Sequence, residues 1–271
     1  MNAANQKSVE WTSLSLAQNA WHSLWEDRKT VLYISFFGLF LPQIVIHLVG
    51  AEGGLRILSQ AANITAVLDA DRTQVLPQLA APLESLFSQS LGIGLLLWPV
   101  FVFACLSLVH LALQKSAPWK ERLRVLPSAM IFSALFALAL FLTQSLFLIQ
   151  FAIKVLASVA PVLMVSEALG AFSAFGRSLI TKYLKDATQT GVGLFFNLAT
   201  PHALISICYD LISTTSNYWA ENTVHLGGAW SSPGFMAMLI RAAFFSLYLP
   251  YSLYLAATVY QKARKRLSII T

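Results

Sequence analysis

Three charged side chains stand inside long apolar stretches of this sequence, where ionisable groups are costly. They are Lys154, Asp210 and Arg241. A charge at the centre of a bilayer costs about 2.5–3.5 kcal/mol on insertion scales unless it is paired or hydrated. These residues therefore predict either an ion pair that fixes the register of neighbouring helices or a partly hydrated site for an anionic group such as a lipid phosphate.

The positions of the three charges favour a common depth. Asp210 lies about one turn before the end of one apolar stretch, and Arg241 lies about one to two turns after the start of the next. An antiparallel hairpin brings these depths together, and Lys154 is expected at the same side of the membrane. His202, with Asn197 about one turn earlier, extends the polar stripe. The predicted ligand-binding residues are thus Lys154, Asp210, Arg241, His202 and Asn197.

The sequence contains no catalytic or metal-binding motif. It lacks a glycine-rich phosphate loop, a His-Glu-x-x-His pair and a Gly-x-Ser-x-Gly elbow. His47, His110 and His202 are predicted at different depths, so they do not suit one metal ion. We therefore expect no catalytic residues, no metal and no cofactor, and we expect that the protein is not an enzyme.

The composition identifies a membrane protein. Of the 271 residues, 57% are hydrophobic and only 11% are charged, whereas soluble domains carry about 25% charged residues. So few charges cannot cover a water-facing surface. The same figures exclude a disordered chain, a disulfide scaffold and a nucleic-acid binder.

The apolar stretches predict an all-α polytopic membrane bundle of six transmembrane helices with amphipathic interfacial helices. A stretch of about 42 residues, 129–170, is twice as long as one span needs, so we expect it to fold back within 145–154. The predicted organisation is a cytoplasmic amphipathic helix in 1–30, a transmembrane domain over 31–261 and a basic tail in 262–271. The predicted spans are 31–49, 92–113, 129–147, 152–170, 191–212 and 236–261.

The distribution of Lys and Arg predicts the orientation. Of the 18 basic residues, 14 fall in the N-terminal segment, the second and fourth loops and the tail, and only Arg56 and Arg72 fall in the alternate segments. Because basic loops stay in the cytoplasm, both termini are expected there. An odd number of spans would break this pattern.

Segments outside the spans also look helical. Residues 13–28 carry an apolar stripe that includes Trp21 and Trp25, and we expect this helix to lie on the inner membrane surface through that stripe. Residues 166–185 are expected to form a second amphipathic helix. The outer loop 50–91 is long enough for one or two short helices.

One motif resembles a known family. An Ala160-Pro161-Val162 run is followed by the acid Glu167, a small-residue segment and Arg177-Ser178. This pattern is similar to the bacterial YciC-like inner-membrane family, which is grouped with the membrane domain of some glycerophosphodiester phosphodiesterases. The Trp-rich entry to the first span and the basic loop 115–127 resemble that family too.

The resemblance implies a six-span bacterial inner-membrane protein that supports envelope or membrane-lipid homeostasis or the assembly of membrane complexes. The resemblance supplies no catalytic residues, and we expect no phosphodiesterase domain after residue 271. The expected partners are membrane lipids, anionic ones included, and membrane proteins or further copies of the chain, but not nucleic acid. The alternative is a transporter of a small or amphipathic anion, which the prolines within five spans also suit.

Overall fold

The computed structural model describes residues 13–46, 72–114, 119–143, 146–179, 207–208, 211 and 233–270. Every regular element within these ranges is helical, as the sequence predicts. The main helices are α1 (Ser13–Glu26), α2 (Arg28–Ser35), α3 (Arg72–Ala112), α4 (Trp119–Leu142), α5 (Phe147–Ala157), α6 (Ala160–Glu167), α7 (Ala171–Leu179) and α8 (Pro233–Ile270).

Five helical segments in the described part of the chain are long and apolar enough to cross a membrane. They are Arg28–Ile46, Gly92–Ala112, Trp119–Leu142, Leu148–Glu167 and Leu239–Gln261. The chain is therefore a multi-pass membrane protein. Most of the predicted span 191–212 lies outside the described residues.

Two compact units can be distinguished within the chain. The first comprises Met1–Val31, Cys105–Ser206 and Tyr248–Thr271. The second comprises Leu32–Ala104 and Ile207–Leu247.

In the first unit, the long apolar stretch turns back between Thr143 and Leu146. The prediction, 145–154, was too late in the chain, because α5 already begins at Phe147. Polar side chains hold the turn from both sides. Thr143 Oγ1 donates to the carbonyl of Ala139 at 2.7 Å, and Gln150 Nε2 donates to the carbonyl of Leu140 at 3.2 Å. Both bonds go to carbonyl groups in the last turn of α4, so the two side chains hold the end of that helix beside the turn.

Two further breaks divide the rest of this stretch. The first separates α5 from α6 just before Pro161, which lies in the first turn of α6, where proline's missing N–H costs no hydrogen bond. The second follows Glu167, where Ala168 adopts a left-handed conformation with φ of 52°. The predicted start of the helix expected over 166–185 is therefore wrong, because α6 ends at Glu167 and α7 begins at Ala171.

Helix α1 packs against the protein through one side, and contact of its tryptophan stripe with the membrane surface stays a prediction. Leu16 and Ala20 are completely buried, whereas Trp21 and Trp25 are each 54% exposed. The buried pair is one turn apart and faces the protein, so the tryptophans lie on the flank of the helix. The sequence predicted an apolar side of this helix that avoids water, but it did not predict that Leu16 and Ala20 are buried against other parts of the protein.

In the second unit, the first span contains a π-helix over Phe36–Phe40. The N–H of Leu41 bonds to the carbonyl of Phe36, one residue further back than in an α-helix. Pro42 follows directly, and its ring would clash with the carbonyl of residue 38 in a regular α-helix. The wider turn thus accommodates the proline.

The same unit contains a close approach between two helices. A Cβ atom on Gly38 would collide with the Cβ of Ala104 on α3. Phe101 of α3 also stacks on Phe245 of α8 with ring centroids 6.1 Å apart. Small residues that let backbones approach closely are typical of contacts between membrane helices.

Candidate functional site

A segment of α8 in the first unit is largely buried. Between Pro250 and Tyr260, all residues except Tyr251 and Thr258 are buried. Two of the buried side chains are tyrosines, Tyr254 and Tyr260, whose hydroxyl groups need partners when they leave water. We call the hydroxyl and carboxylate groups around them the tyrosine–carboxylate cluster: Asp27, Glu167, Tyr254 and Tyr260.

Asp27 is the first member of the cluster. It stands at the interruption between α1 and α2, and its Oδ2 accepts a 2.8 Å hydrogen bond from the hydroxyl of Tyr254. A bond to an ionised acceptor is roughly twice as strong as one between neutral groups. This contact fastens the start of the first span to α8.

Glu167 is the second carboxylate of the cluster. Its Oε1 accepts a hydrogen bond from Tyr260 at 3.2 Å, and its Oε2 lies 3.2 Å from Nη1 of Arg177. Phe175, on the same helix as Arg177, packs against Phe132 of α4 at 6.0 Å. The left-handed turn at Ala168 therefore folds α7 back so that the acid and the base of the sequence motif meet.

Other polar contacts lie at the same helix ends. Gln261 Nε2 approaches the carbonyl of Ala112 at 3.5 Å, near the end of α3. Arg122, in the first turn of α4, donates to Ser107 Oγ at 3.3 Å. His110 is buried, and its Nδ1 lies 2.8 Å from the carbonyl of Leu106. Of these contacts, the one from Gln261 reaches a carbonyl of the last turn of α3, where carbonyl groups lack a partner within their own helix.

Two of the five predicted ligand-binding residues, Lys154 and Arg241, lie within the described residues. Lys154 is exposed on α5 in the first unit, and Arg241 belongs to the second unit. The Nε of Arg241 is buried and has no hydrogen-bond partner in the part of the chain that the structure describes. Asn197, His202 and Asp210 lie outside the described residues, so the predicted Asp210–Arg241 pair stays a prediction.

Sequence reasoning missed the roles of Asp27, Tyr254 and Tyr260. Glu167 and Arg177 were noted only as members of the family-like sequence motif, and their contact with each other was not predicted. A usable signal existed for the tyrosines, because a hydroxyl within an apolar span requires a hydrogen-bond partner. The described residues contain no group of three or more His, Cys, Asp or Glu side chains that suits a metal ion. The cluster is chemically suited to hold helices in place.

No protein-family model, curated protein or solved structure matches this chain. Its function is therefore inferred from its residues and their contacts.

Proposed function

We propose that the chain is a non-enzymatic integral protein of a bacterial inner membrane, with six spans and both termini in the cytoplasm. It supports envelope or membrane-lipid homeostasis or the assembly of membrane complexes. The observation that carries this proposal is the tyrosine–carboxylate cluster. Its two carboxylates accept hydrogen bonds from buried tyrosines, so their role is to hold helices together.

The contacts of α8 support the six-span topology. Glu167 ends the fourth of the five spans, and it bonds to Tyr260, one residue before the fifth of them ends. The two spans therefore run in the same direction. A chain that crosses twice in the same direction must cross an odd number of times in between, and the apolar stretch 191–212 offers one crossing.

The same contacts support the proposed orientation. Tyr254, Tyr260 and Gln261 of α8 lie at the end of the fifth described span. They contact Asp27 beside the start of the first span, Glu167 at the end of the fourth and Ala112 at the end of the second, respectively. The basic segments of the sequence adjoin these ends. Because basic segments remain in the cytoplasm, this end is assigned to the inner side.

The exposure of the spans supports a role in contacts with lipid or membrane partners. In the most apolar part of the span Trp119–Leu142 only 11% of residues are buried within the chain, against 56% for the span Leu239–Gln261. One span thus offers most of its surface to its surroundings, whereas the other is held among helices of the protein. The resemblance to the YciC-like family agrees with such a role and stays part of the proposal.

A transporter of a small anion is the second candidate, and Arg241 favours it. A buried guanidinium nitrogen without a hydrogen-bond partner among the described residues has the chemistry to bind an anion. If the chain is a transporter, liposomes that contain it should take up small anions, whereas the first proposal expects no such uptake.

The purified full-length protein, reconstituted into liposomes, separates the two candidates. The first proposal expects phospholipid to remain bound in native mass spectrometry and expects no uptake of small anions above that of protein-free vesicles. The first proposal would be overturned in favour of transport if the protein takes up anions and Arg241→Gln abolishes that uptake. Lys154→Gln, at an exposed position, is the control and should not abolish it.

A further inference from the structure

An aromatic and basic surface flanks the start of the first span. Trp21 and Trp25 stack with ring centroids 6.0 Å apart and an interplanar angle of 23°. Both are about half exposed, although Leu16 and Ala20 of the same helix are completely buried. The tryptophans therefore form an outward-facing platform on a helix that is fixed by its other side.

This platform is held in place by α8. The ring of Trp21 lies 6.2 Å from that of Tyr251, and the Asp27–Tyr254 hydrogen bond fastens the end of α1 to the same helix. A surface that is ordered before a ligand arrives loses little conformational entropy on binding. The platform is thus preorganised.

A cation is positioned at the edge of the platform. The guanidinium carbon of Arg28 lies 5.5 Å from the centre of the Trp25 ring, and Nη1 donates to the carbonyl of Trp25 at 3.1 Å. This contact uses one of the five donors of the guanidinium group. Lys29 follows and is exposed, so two positive charges stand beside two tryptophans.

The chemistry and the position of this surface suit one class of ligand. Arginine donors match phosphate oxygens in a bidentate geometry, and tryptophan favours the headgroup layer, where its ring contacts both apolar and polar groups. The first span begins at Arg28. The cations are therefore at the boundary between the apolar span and the polar segment before it.

We infer that Trp21, Trp25, Arg28 and Lys29 form a binding site for the phosphate headgroup of an anionic glycerophospholipid of the inner leaflet. Arg28 and Lys29 bind the phosphate, and the tryptophans contact the glycerol region. The inference rests on the proposed orientation of the protein. A free phosphate ion would use the cations but not the exposed aromatic platform.

The test measures lipid retention by the full-length protein in mixed vesicles of phosphatidylglycerol and phosphatidylcholine. Native mass spectrometry after detergent extraction reports the lipids bound. We expect Arg28→Gln to lower phosphatidylglycerol retention about fivefold, the effect of one basic residue at an anionic surface. Arg124→Gln is the matched control, because Arg124 is an exposed cation of another basic segment; it should change retention less than twofold.

Further variants distinguish a defined lipid site from diffuse charge attraction and from a site for free phosphate. Trp25→Leu keeps both charges and should also reduce phosphatidylglycerol retention, and none of the variants should change phosphatidylcholine retention.

Equal losses in Arg28→Gln and Arg124→Gln would overturn the proposal, because diffuse charge would then account for binding. Displacement of the lipid by millimolar inorganic phosphate would also overturn it. A thermal unfolding curve for each variant identifies any loss that comes from misfolding, and Arg28→Lys, which keeps the charge, should restore part of the retention.

The result is independent of the test for transport. Anion uptake that requires Arg241 would overturn the proposed function and leave the lipid measurement unaffected. An unchanged phosphatidylglycerol signal in Arg28→Gln would overturn the lipid site alone.

Discussion

The hydroxyl of Tyr254 donates a 2.8 Å hydrogen bond to Oδ2 of Asp27, a residue 227 positions earlier in the sequence. Tyr254 is almost completely buried, and Asp27 stands where the N-terminal helix gives way to the first span. The bond connects the two ends of the described chain. Both residues belong to the first unit, in which the bond joins the start of the first span to the C-terminal part of α8.

Tyr254→Phe should therefore destabilise the protein. The substitution removes the donor and leaves the carboxylate of Asp27 without that partner in a half-buried position, which costs about 1–3 kcal/mol. The free energy of unfolding from a dodecyl sulfate titration measures the effect. Tyr33→Phe is the matched control, because Tyr33 is 67% exposed, and it should change stability by less than about 0.5 kcal/mol. Equal losses in the two variants would show that the Asp27 bond contributes nothing.

The two partners of Glu167 should differ in importance. Arg177 is 58% exposed, and exposed ion pairs contribute only about 0–1 kcal/mol because water and salt screen them. Tyr260 is buried, so Tyr260→Phe should cost more than Arg177→Gln in the same titration. Added salt should shrink only the effect of Arg177→Gln. A larger loss for Arg177→Gln would mean that the ion pair, not the tyrosine, holds α7 in place.

Gly38 should tolerate no larger side chain. A methyl group there collides with Ala104, and overpacking of this kind costs about 1–3 kcal/mol. Gly94 is the control, since a Cβ at that position meets no described atom within 4 Å. Gly94→Ala should be neutral or stabilising by up to about 1 kcal/mol. If Gly38→Ala unfolds at the same temperature as Gly94→Ala, the close approach of the two helices is not important for stability.

Helix α1 should depend on Leu16 more than on its tryptophans for protection from protease. Leu16 is completely buried, whereas Trp25 is half exposed. In detergent, Leu16→Glu should speed cleavage within 13–26, because a charge replaces an apolar contact with the protein. Trp25→Glu should leave the cleavage rate near that of the wild type. Faster cleavage in Trp25→Glu alone would favour attachment through the tryptophan side.

The sequence was sufficient to identify the apolar helices of the described residues, because about 20 consecutive apolar residues are a property of composition, although the predicted span 129–147 begins ten residues after the segment Trp119–Leu142 does. The predicted span 92–113 differs from the segment Gly92–Ala112 by one residue. Breaks inside apolar stretches were harder to place. No glycine or proline stands at 143–146, and the turn depends on side-chain bonds from Thr143 and Gln150 to carbonyl groups.

The tyrosine–carboxylate cluster was not predictable from local patterns. Tyr254 and Tyr260 count as apolar residues in a search for spans, so their hydroxyl groups went unnoticed. Their partners Asp27 and Glu167 lie far away in sequence. Only packing of the helices brings them together. Helix periodicity also did not distinguish Leu16, which packs against the protein, from Trp21, because both are apolar although only Leu16 is buried.

The proposed six-span topology can be tested by locating the segment after α7 relative to the membrane. Reporter fusions in living bacteria after residues 185, 225 and 268 use alkaline phosphatase, active outside the cytoplasm, and a fluorescent protein, active inside it. We expect fluorescence at 185 and 268 and phosphatase activity at 225, because the proposed six-span topology has an odd number of crossings between the described spans that end at Glu167 and Gln261. Fluorescence without phosphatase activity at 225, with the other two fusions unchanged, would contradict the six-span topology and the orientation derived from it.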